Sequence, residues 1–431
     1  MKLPGDLYFR AGMRLLPNGA MDETFAPVPN MGGKLTGWND RIYVGISSAV
    51  KRLFANGHID PGFIFMDAGP YFSSLAGGDY HVYPDGRVLM SGRHILSDTV
   101  RGLVGYYNLV WFSNEGYLDT TRTHRRGNGN VFQFAPLPDG GFICQGTGSE
   151  FEGVPVGRIF KVDSVGVPDP GFQSDVFSGS AYTFLSLADG RVYAGGNFRR
   201  NADPLDTLRL VRFMPDGSLD PTFSRPNFTF VNGTYPVGPS VTEMTPFEDG
   251  KYFVMGSFEF VNGQPRRGIC VIDSIGALMD EFNECGVGPF DDGLFVAGSV
   301  HGIAPYGDDH WLIWGSYLGY DDGVINDPDQ RFVTRLHRGD FTTSTATLSV
   351  GEGPGMKLYP NPSTGVLHLS VEEHPRNAVV HVRDALGRTV LQRPLISHYN
   401  TVDLTTAGRG VYVVSVVAAG VRIAAQRVVV E

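Results

Sequence analysis

Four aspartates, Asp321, Asp322, Asp327 and Asp329, fall within nine residues of the stretch YLGYDDGVINDPDQR. Hard oxygen donors at that density could gather around calcium. The D-x-D-x-D-G spacing of a calcium loop is missing, so a solvated acidic loop is the first expectation and calcium the only candidate cofactor. Tyr235, Trp311, Trp314, Tyr317 and Tyr320 could stack against sugar rings, although a strand such as GDDHWLIWG more often buries its aromatics. Cys144, Cys270 and Cys285 have no zinc spacing. Cys270 and Cys285 could bridge in an oxidising compartment; three free buried thiols are the equal alternative. G-x-S-x-G, H-E-x-x-H, P-loop and G-x-G-x-x-G motifs are absent, and the eleven histidines stand singly. Glycoside cleavage would need two carboxyl groups brought together from separate parts of the chain.

Whether such groups meet depends on the elements that carry them, and those elements repeat. One unit reads apolar strand, tight turn, Leu or Ile, Asp, two residues, Phe. It occurs at 14–25 (RLLPNGAMDETF), 51–63 (KRLFANGHIDPGF) and 210–223 (LVRFMPDGSLDPTF), and more loosely at 158–172 and 271–282. Residues 110–122 keep the Asp without the Phe, and 331–341 have lost most of the tail. A second unit, a D-G-type turn, a hydrophobic strand and a glycine, occurs at 38–45, 84–92, 138–146, 188–196, 248–256 and 307–315. The turn glycine supplies positive φ, the glycine after the strand permits close backbone approach, the Asp before Phe caps a turn, and the Phe plugs neighbouring units. Gly 57, Pro 28, 12% aromatics and no sustained helical periodicity make the chain all-β. Four short strands per period of about 45 to 60 residues describe a propeller blade. Residues 1–341 are therefore expected to form a β-propeller, six blades first and seven second, with the orphan element at 14–25 closing the ring. Function is expected where blades differ, at 120–130, 227–239 and 317–331.

Residues 342–355 are small, polar and glycine-rich, as in a flexible linker. Residues 356–431 read as a small Ig-like β-sandwich. Pro360 and Pro362 remove two backbone donors, which makes the opening an edge or lead-in. Val380, Val382 and Asp384 share one face of a half-buried strand, and Asp384 to Gly387 supply its turn. Residues 411–430 are too short and interrupted for a membrane span, which needs roughly 20 apolar residues; a hairpin is expected there.

Two resemblances follow from these motifs. The repeat, best matched near Asp189 to Phe198 and Arg212 to Phe223, resembles the delta-60 repeat family of propeller-like secreted proteins. The motifs Tyr359-Pro360-Asn361-Pro362, Asp384 with Gly387-Arg388, Gly410 with Tyr412, and Arg427 near the end resemble the C-terminal sorting domain of type IX secretion cargo in Bacteroidetes. That resemblance implies recognition of 356–431 by the outer-membrane secretion machinery and a secreted or surface-attached product. Triplets such as Asp98-Thr99-Val100 and Asp163-Ser164-Val165 resemble O-glycosylation acceptors of such proteins, with a plain hairpin turn as the default. Residues 1–12 lack the apolar core of a signal peptide, so truncation or removal of a leader is expected.

Charge narrows the partners. The chain carries a net −10, with eight Lys/Arg against five Asp/Glu after residue 355. An acidic body without a basic stripe argues against nucleic acid. The expectation is a non-enzymatic surface propeller binding an extracellular glycan or protein. The alternative is a propeller hydrolase or lyase acting on extracellular polysaccharide, which acids converging on the channel would favour.

Overall fold

The computed structural model describes residues 33–337 apart from 47–48, 65, 67–70, 204, 231–237, 249, 292–295, 307–309 and 324–325. It also describes 356–431 apart from 372–377, 385–388 and 419–420, and, before residue 33, only 2–3, 7–8, 14, 16 and 22–25. The chain divides into two compact units, 1–341 and 342–431; the expected linker lies outside the described residues.

In the first unit every second repeat element is the middle strand of an antiparallel sheet, because its D-G turn ties it back to the strand before. Among the described residues six such sheets follow one another. They are Leu35–Trp38, Arg41–Gly45, Val50–Phe54; Phe72–Val82, Val88–Asp98, Leu103–Phe112; and Val131–Pro136, Phe142–Gly146, Ile159–Val162. Then come Val176–Ser186, Val192–Arg200, Thr207–Phe213; Ser240–Pro246, Lys251–Ser257, Ile269–Asp273; and Ser299–Tyr306, His310–Asp321, Asn326–His337. The turns use the predicted chemistry: Gly86, Gly140 and Gly190 have φ of 83°, 84° and 86°, and Asp139 and Asp189 accept from the N–H two residues on at 2.9 and 3.1 Å. In the second, fourth, fifth and sixth sheets the glycine toward the end of the middle strand is needed for the approach of the first strand. A Cβ on Gly196, Gly256 or Gly315 would lie 2.2, 2.1 or 2.0 Å from a carbonyl oxygen of that strand.

The core is not one ball but a series of seams. Separate apolar clusters join the first sheet to the second through Tyr43, Phe63 and Phe112, the second to the third through Trp111 and Phe142, and the third to the fourth through Phe172 and Phe198. Two more join the fourth to the fifth through Tyr193 and Phe258, and the fifth to the sixth through Phe253 and Ile313. This seam-by-seam burial is how twisted sheets that each lack a partner face become stable together.

The Leu-Asp-x-x-Phe tails stitch the same seams with charge. Arg52 Nε meets Asp60 Oδ2 at 2.7 Å, its Nη1 donates to Asn114 O of the next sheet's turn at 2.6 Å, and its guanidinium lies 5.1 Å from the Phe63 ring centroid. Arg212 repeats all three with Asp220, Ser274 O and Phe223. So does Arg14, through Asp22, Ala55 O and Phe25. Arg14 thus holds, relative to the first sheet, the place that Arg52 and Arg212 hold relative to the sheets after theirs.

The second unit is a β-sandwich. A three-stranded sheet (Met356–Tyr359, Val366–Val371, Tyr399–Asp403) and a four-stranded one (Thr389–Pro394, Val379–Asp384, Gly410–Ala418, Val421–Val430) enclose one core. Val380 and Val382 are fully buried while Arg383 faces out, as strand alternation requires. The last two strands pair antiparallel as the expected hairpin, and no helix among the described residues is long and apolar enough to cross a membrane.

Candidate functional site: the central cavity

The first strands of five sheets, with the lead-in to the first of them, and the middle strand of the sixth face a shared cavity of about 740 Å³, lined among others by Lys34, Leu35, Asp79, Gln133, Phe134, Thr183, Phe184, Glu243 and Trp314. Five of these residues occupy one repeat position. Lys34, Asp79, Gln133, Thr183 and Glu243 each stand six residues before the turn aspartate of their own sheet, at Asp40, Asp85, Asp139, Asp189 and Asp249. The sixth such position is Gly302. The ladder confirms the equivalence: Gln133 faces Gln145, Thr183 faces Gly195, Glu243 faces Met255 and Gly302 faces Trp314. In five of the six first strands the register shifts just before this position. Bulges of this kind re-aim side chains, here into the cavity.

Trp314 reaches the cavity from a middle strand because Gly302, its cross-strand partner, leaves room for the indole to lie over the first strand. A Cβ at Gly302 would lie 2.2 Å from the indole Cζ2. Trp314 remains 41% exposed.

The polar groups form two sets. Lys34 Nζ lies 3.2 Å from both Asp79 carboxylate oxygens, which also accept from Tyr80 N at 2.7 Å and Gln133 Nε2 at 3.2 Å. Burial holds the Asp79 carboxyl above its ordinary range, partly offset by Lys34. Glu243 Oε1 accepts from Met244 N at 3.0 Å and Thr183 Oγ1 at 3.3 Å; among the described residues Oε2 takes no bond. Burial, with a smaller contribution from the charge on Asp79, pushes Glu243 upward too. Two carboxyl groups from separate sheets therefore converge on the channel, which is the condition a hydrolytic reading needs.

This position was missed by a reading that looked to insertions. It sits beside a bulge in the first strand, or at Lys34 just before that strand, and its signal is a repeat position whose residue type changes while its neighbours recur. The insertion 120–130 instead supports a seam, with Arg125 Nε donating to Val165 O at 2.8 Å. Residues 231–237 of the second insertion, Tyr235 included, lie outside the described residues. Of the other aromatic candidates, Tyr317 and Tyr320 are core, 0% and 6% exposed, and Trp311 packs against Phe247 and Phe253. The four aspartates lie on the hairpin of the sixth sheet. Asp321 is paired to Arg267 at 2.8 Å, Asp327 accepts from Asp329 N, and among the described residues no three His, Cys, Asp or Glu are grouped to hold a metal. Cys270 and Cys285 do not pair; all three cysteines are free and buried. Cys270 packs into the seam of the fourth and fifth sheets and Cys285 into that of the fifth and sixth, and burial pushes both thiols up to about 12.

The sorting-motif residues divide into scaffold and surface. Asn361 binds the last strand twice, Nδ2 donating to Arg427 O and Oδ1 accepting from Val429 N, both at 2.9 Å. Tyr412 is buried and its hydroxyl donates to the carbonyls of Ala407 and Gly408, which fixes the entry to its strand. Gly410 opens that strand and Asp384 closes the neighbouring one. Tyr359, Pro360, Pro362 and Arg427 are exposed; Gly387 and Arg388 lie outside the described residues.

Repeated sheets around a shared cavity, followed by a sandwich with this opening motif, define a β-propeller protein with a C-terminal export module. Residues 187–223 match the family described as domain of unknown function (DUF5122) beta-propeller, and 357–431 match the secretion system C-terminal sorting domain. The chain thus carries a segment matching each of these two families, a propeller one in its first unit and a sorting domain in its second, and is a secreted or cell-surface propeller protein. No curated protein matches the chain. Among solved structures it is similar to PorZ, an essential bacterial surface component of the type-IX secretion system of Porphyromonas gingivalis, at 14% identity and TM-score 0.36, covering 98% of this chain and 62% of that one. It is also similar to the extracellular domain of BT4673 from B. thetaiotaomicron, at 11% identity and TM-score 0.38, covering 92% and 50%. A fungal alcohol oxidase in complex with copper matches at 12% identity and TM-score 0.31, covering 90% and 83%. The chain spans less than two thirds of the first two.

Proposed function

We propose that this protein is a non-enzymatic binding module of the cell exterior that takes an extracellular glycan or protein in the central cavity of its propeller. The observation that carries this reading is the set Lys34, Asp79, Gln133, Thr183 and Glu243: a single repeat position, polar in five sheets, whose side chains differ while the surrounding sequence recurs. Residues that build a repeat stay alike; residues that meet a ligand need not. Delivery would depend on residues 356–431, with the exposed Tyr359, Pro360, Pro362 and Arg427 available to the export machinery. Glycan and protein arrays probed with the wild type and with Glu243→Gln test the cavity. Loss of signal in the variant at unchanged melting temperature supports it, and an unchanged signal rejects it.

Convergence of Asp79 and Glu243 favours a second reading, hydrolysis or cleavage of an extracellular polysaccharide. The array ligand, incubated with the same two preparations, separates the readings. Reducing ends released by the wild type but not by Glu243→Gln, with binding retained, establish the enzyme.

A further inference from the structure

We propose that the cavity selects a neutral pyranose, stacked on the Trp314 indole and held at its hydroxyls by Gln133, Thr183 and Glu243; this rests on the cavity being the binding site.

Charge excludes the two other broad ligand classes. Among the described residues the one lysine in the cavity wall is already engaged with both oxygens of Asp79 and the carbonyl of Tyr80, so an anionic sugar would face Glu243 with no free cation among them to receive it. A cationic ligand would be drawn to Glu243 but would share the cavity with Lys34, whose charge is near enough to act on Glu243. An uncharged ligand meets neither penalty.

What remains unfilled in the cavity is the complement of a sugar. Glu243 Oε2, the Gln133 amide oxygen and the Thr183 hydroxyl oxygen can accept, and the second N–H of the Gln133 amide can donate. Sugar hydroxyls both donate and accept, so they can satisfy such a mixed set. Trp314 is 41% exposed and its indole is a flat apolar surface in the cavity wall, and the C–H face of a pyranose is the flat apolar surface that would cover it. Gly302 makes that face available. Its missing side chain is a specificity device placed behind the platform, away from the ligand. The volume of about 740 Å³ is ample for more than one ring.

The test uses the full chain, titrated by calorimetry and indole fluorescence with neutral tetrasaccharides of glucose and mannose, with tetragalacturonate and with tetraglucosamine. At least one neutral sugar should bind and shift the indole emission, and the charged ones should not. Trp314→Ala should weaken that binding at least about tenfold. Gly302→Ala, which adds only a methyl group behind the ring, should weaken it similarly at unchanged far-ultraviolet dichroism and melting temperature. Leu205→Ala, at a fully solvated position 90% exposed, should leave it unchanged. Neutral binding insensitive to both Trp314→Ala and Gly302→Ala overturns the platform while leaving the cavity reading to Glu243→Gln. Binding insensitive to Glu243→Gln as well overturns the cavity reading. A preference for either charged sugar, or binding of no neutral one, overturns the neutral-pyranose assignment.

Discussion

At the scale of single residues the propeller hides two histidines that set its acid limit. His124 Nδ1 accepts the Trp111 backbone N–H at 3.2 Å, so a second proton on the ring would set two donors face to face. His94 is fully buried, its Nε2 donating to Ser91 O at 3.0 Å and its Nδ1 3.1 Å from Ser74 Oγ. Burial pushes both rings down to about 4. A depressed native value means that the unfolded chain takes up these protons first as pH falls. Stability is therefore full above about 6.5 and is lost progressively toward pH 4, on the order of 3 kcal/mol per histidine. Denaturant titrations at pH 7, 6, 5 and 4.5 should show this fall, and a His94→Gln/His124→Gln double variant should have a flatter profile; equal slopes for the two proteins would refute the assignment. Acidic pairs such as Asp220, held low mainly by its Thr222 and Arg212 hydrogen bonds against burial, lose their contribution only below about 3.8. None of this was legible in the sequence, where lone histidines carry no sign of what will cover them. The glycines were legible, because a residue needed for close approach in most of the sheets recurs at each copy.

Between elements, the arginine stitches explain something the repeat motif left half read. The aspartate three before Phe was understood as a turn cap, and it is one: Asp60 Oδ1 accepts from Gly62 N and Asp220 Oδ1 from Thr222 N, both at 2.8 Å. Its second oxygen anchors an arginine eight residues earlier, a spacing visible in Arg14, Arg52 and Arg212 but readable as a latch only once the next sheet's turn is in place. Arg212 and Asp220 have side chains 2% exposed. Arg212→Ala should therefore destabilise by about 3–5 kcal/mol, since it leaves a buried carboxylate short of its partner and a turn carbonyl undocked. Arg191, which meets the same carboxylate at 3.1 Å but is 30% exposed, should cost under about 1 kcal/mol on truncation. Equal melting-temperature shifts for the two variants would show that the latch is ornamental to the seam.

For the whole molecule, the division of labour predicts how it travels. A chain lacking residues 356–431 should fold its propeller, since no seam among the described sheets draws on that segment, yet fail to reach the surface or medium of a type IX-competent host when both forms carry the same leader. Fractionation followed by immunoblotting reads the outcome, and equal distribution of the two forms would remove the export role of the tail. Fold class, repeat and tail motif were legible because each rests on local turn chemistry and alternation, which short stretches of sequence state directly. The cavity was not, because it assembles residues about 50 positions apart in the chain whose only common mark is their distance from a turn.

That common mark gives the cavity the character of a written word. Read in chain order, the six positions spell Lys, Asp, Gln, Thr, Glu, Gly, one letter per sheet. Most of these letters stand behind a bulge of their own, and the seams that stabilise the propeller lie elsewhere. A substitution can therefore change the spelling while the apolar seams hold the scaffold, at the cost of a polar contact where letters of neighbouring sheets meet, as Lys34, Asp79 and Gln133 do; the last letter, being blank, admits a reader from the strand behind it. Propellers built on this repeat could thus diversify what they hold by exchanging six residues, and the ligand of each should be sought first in that short string.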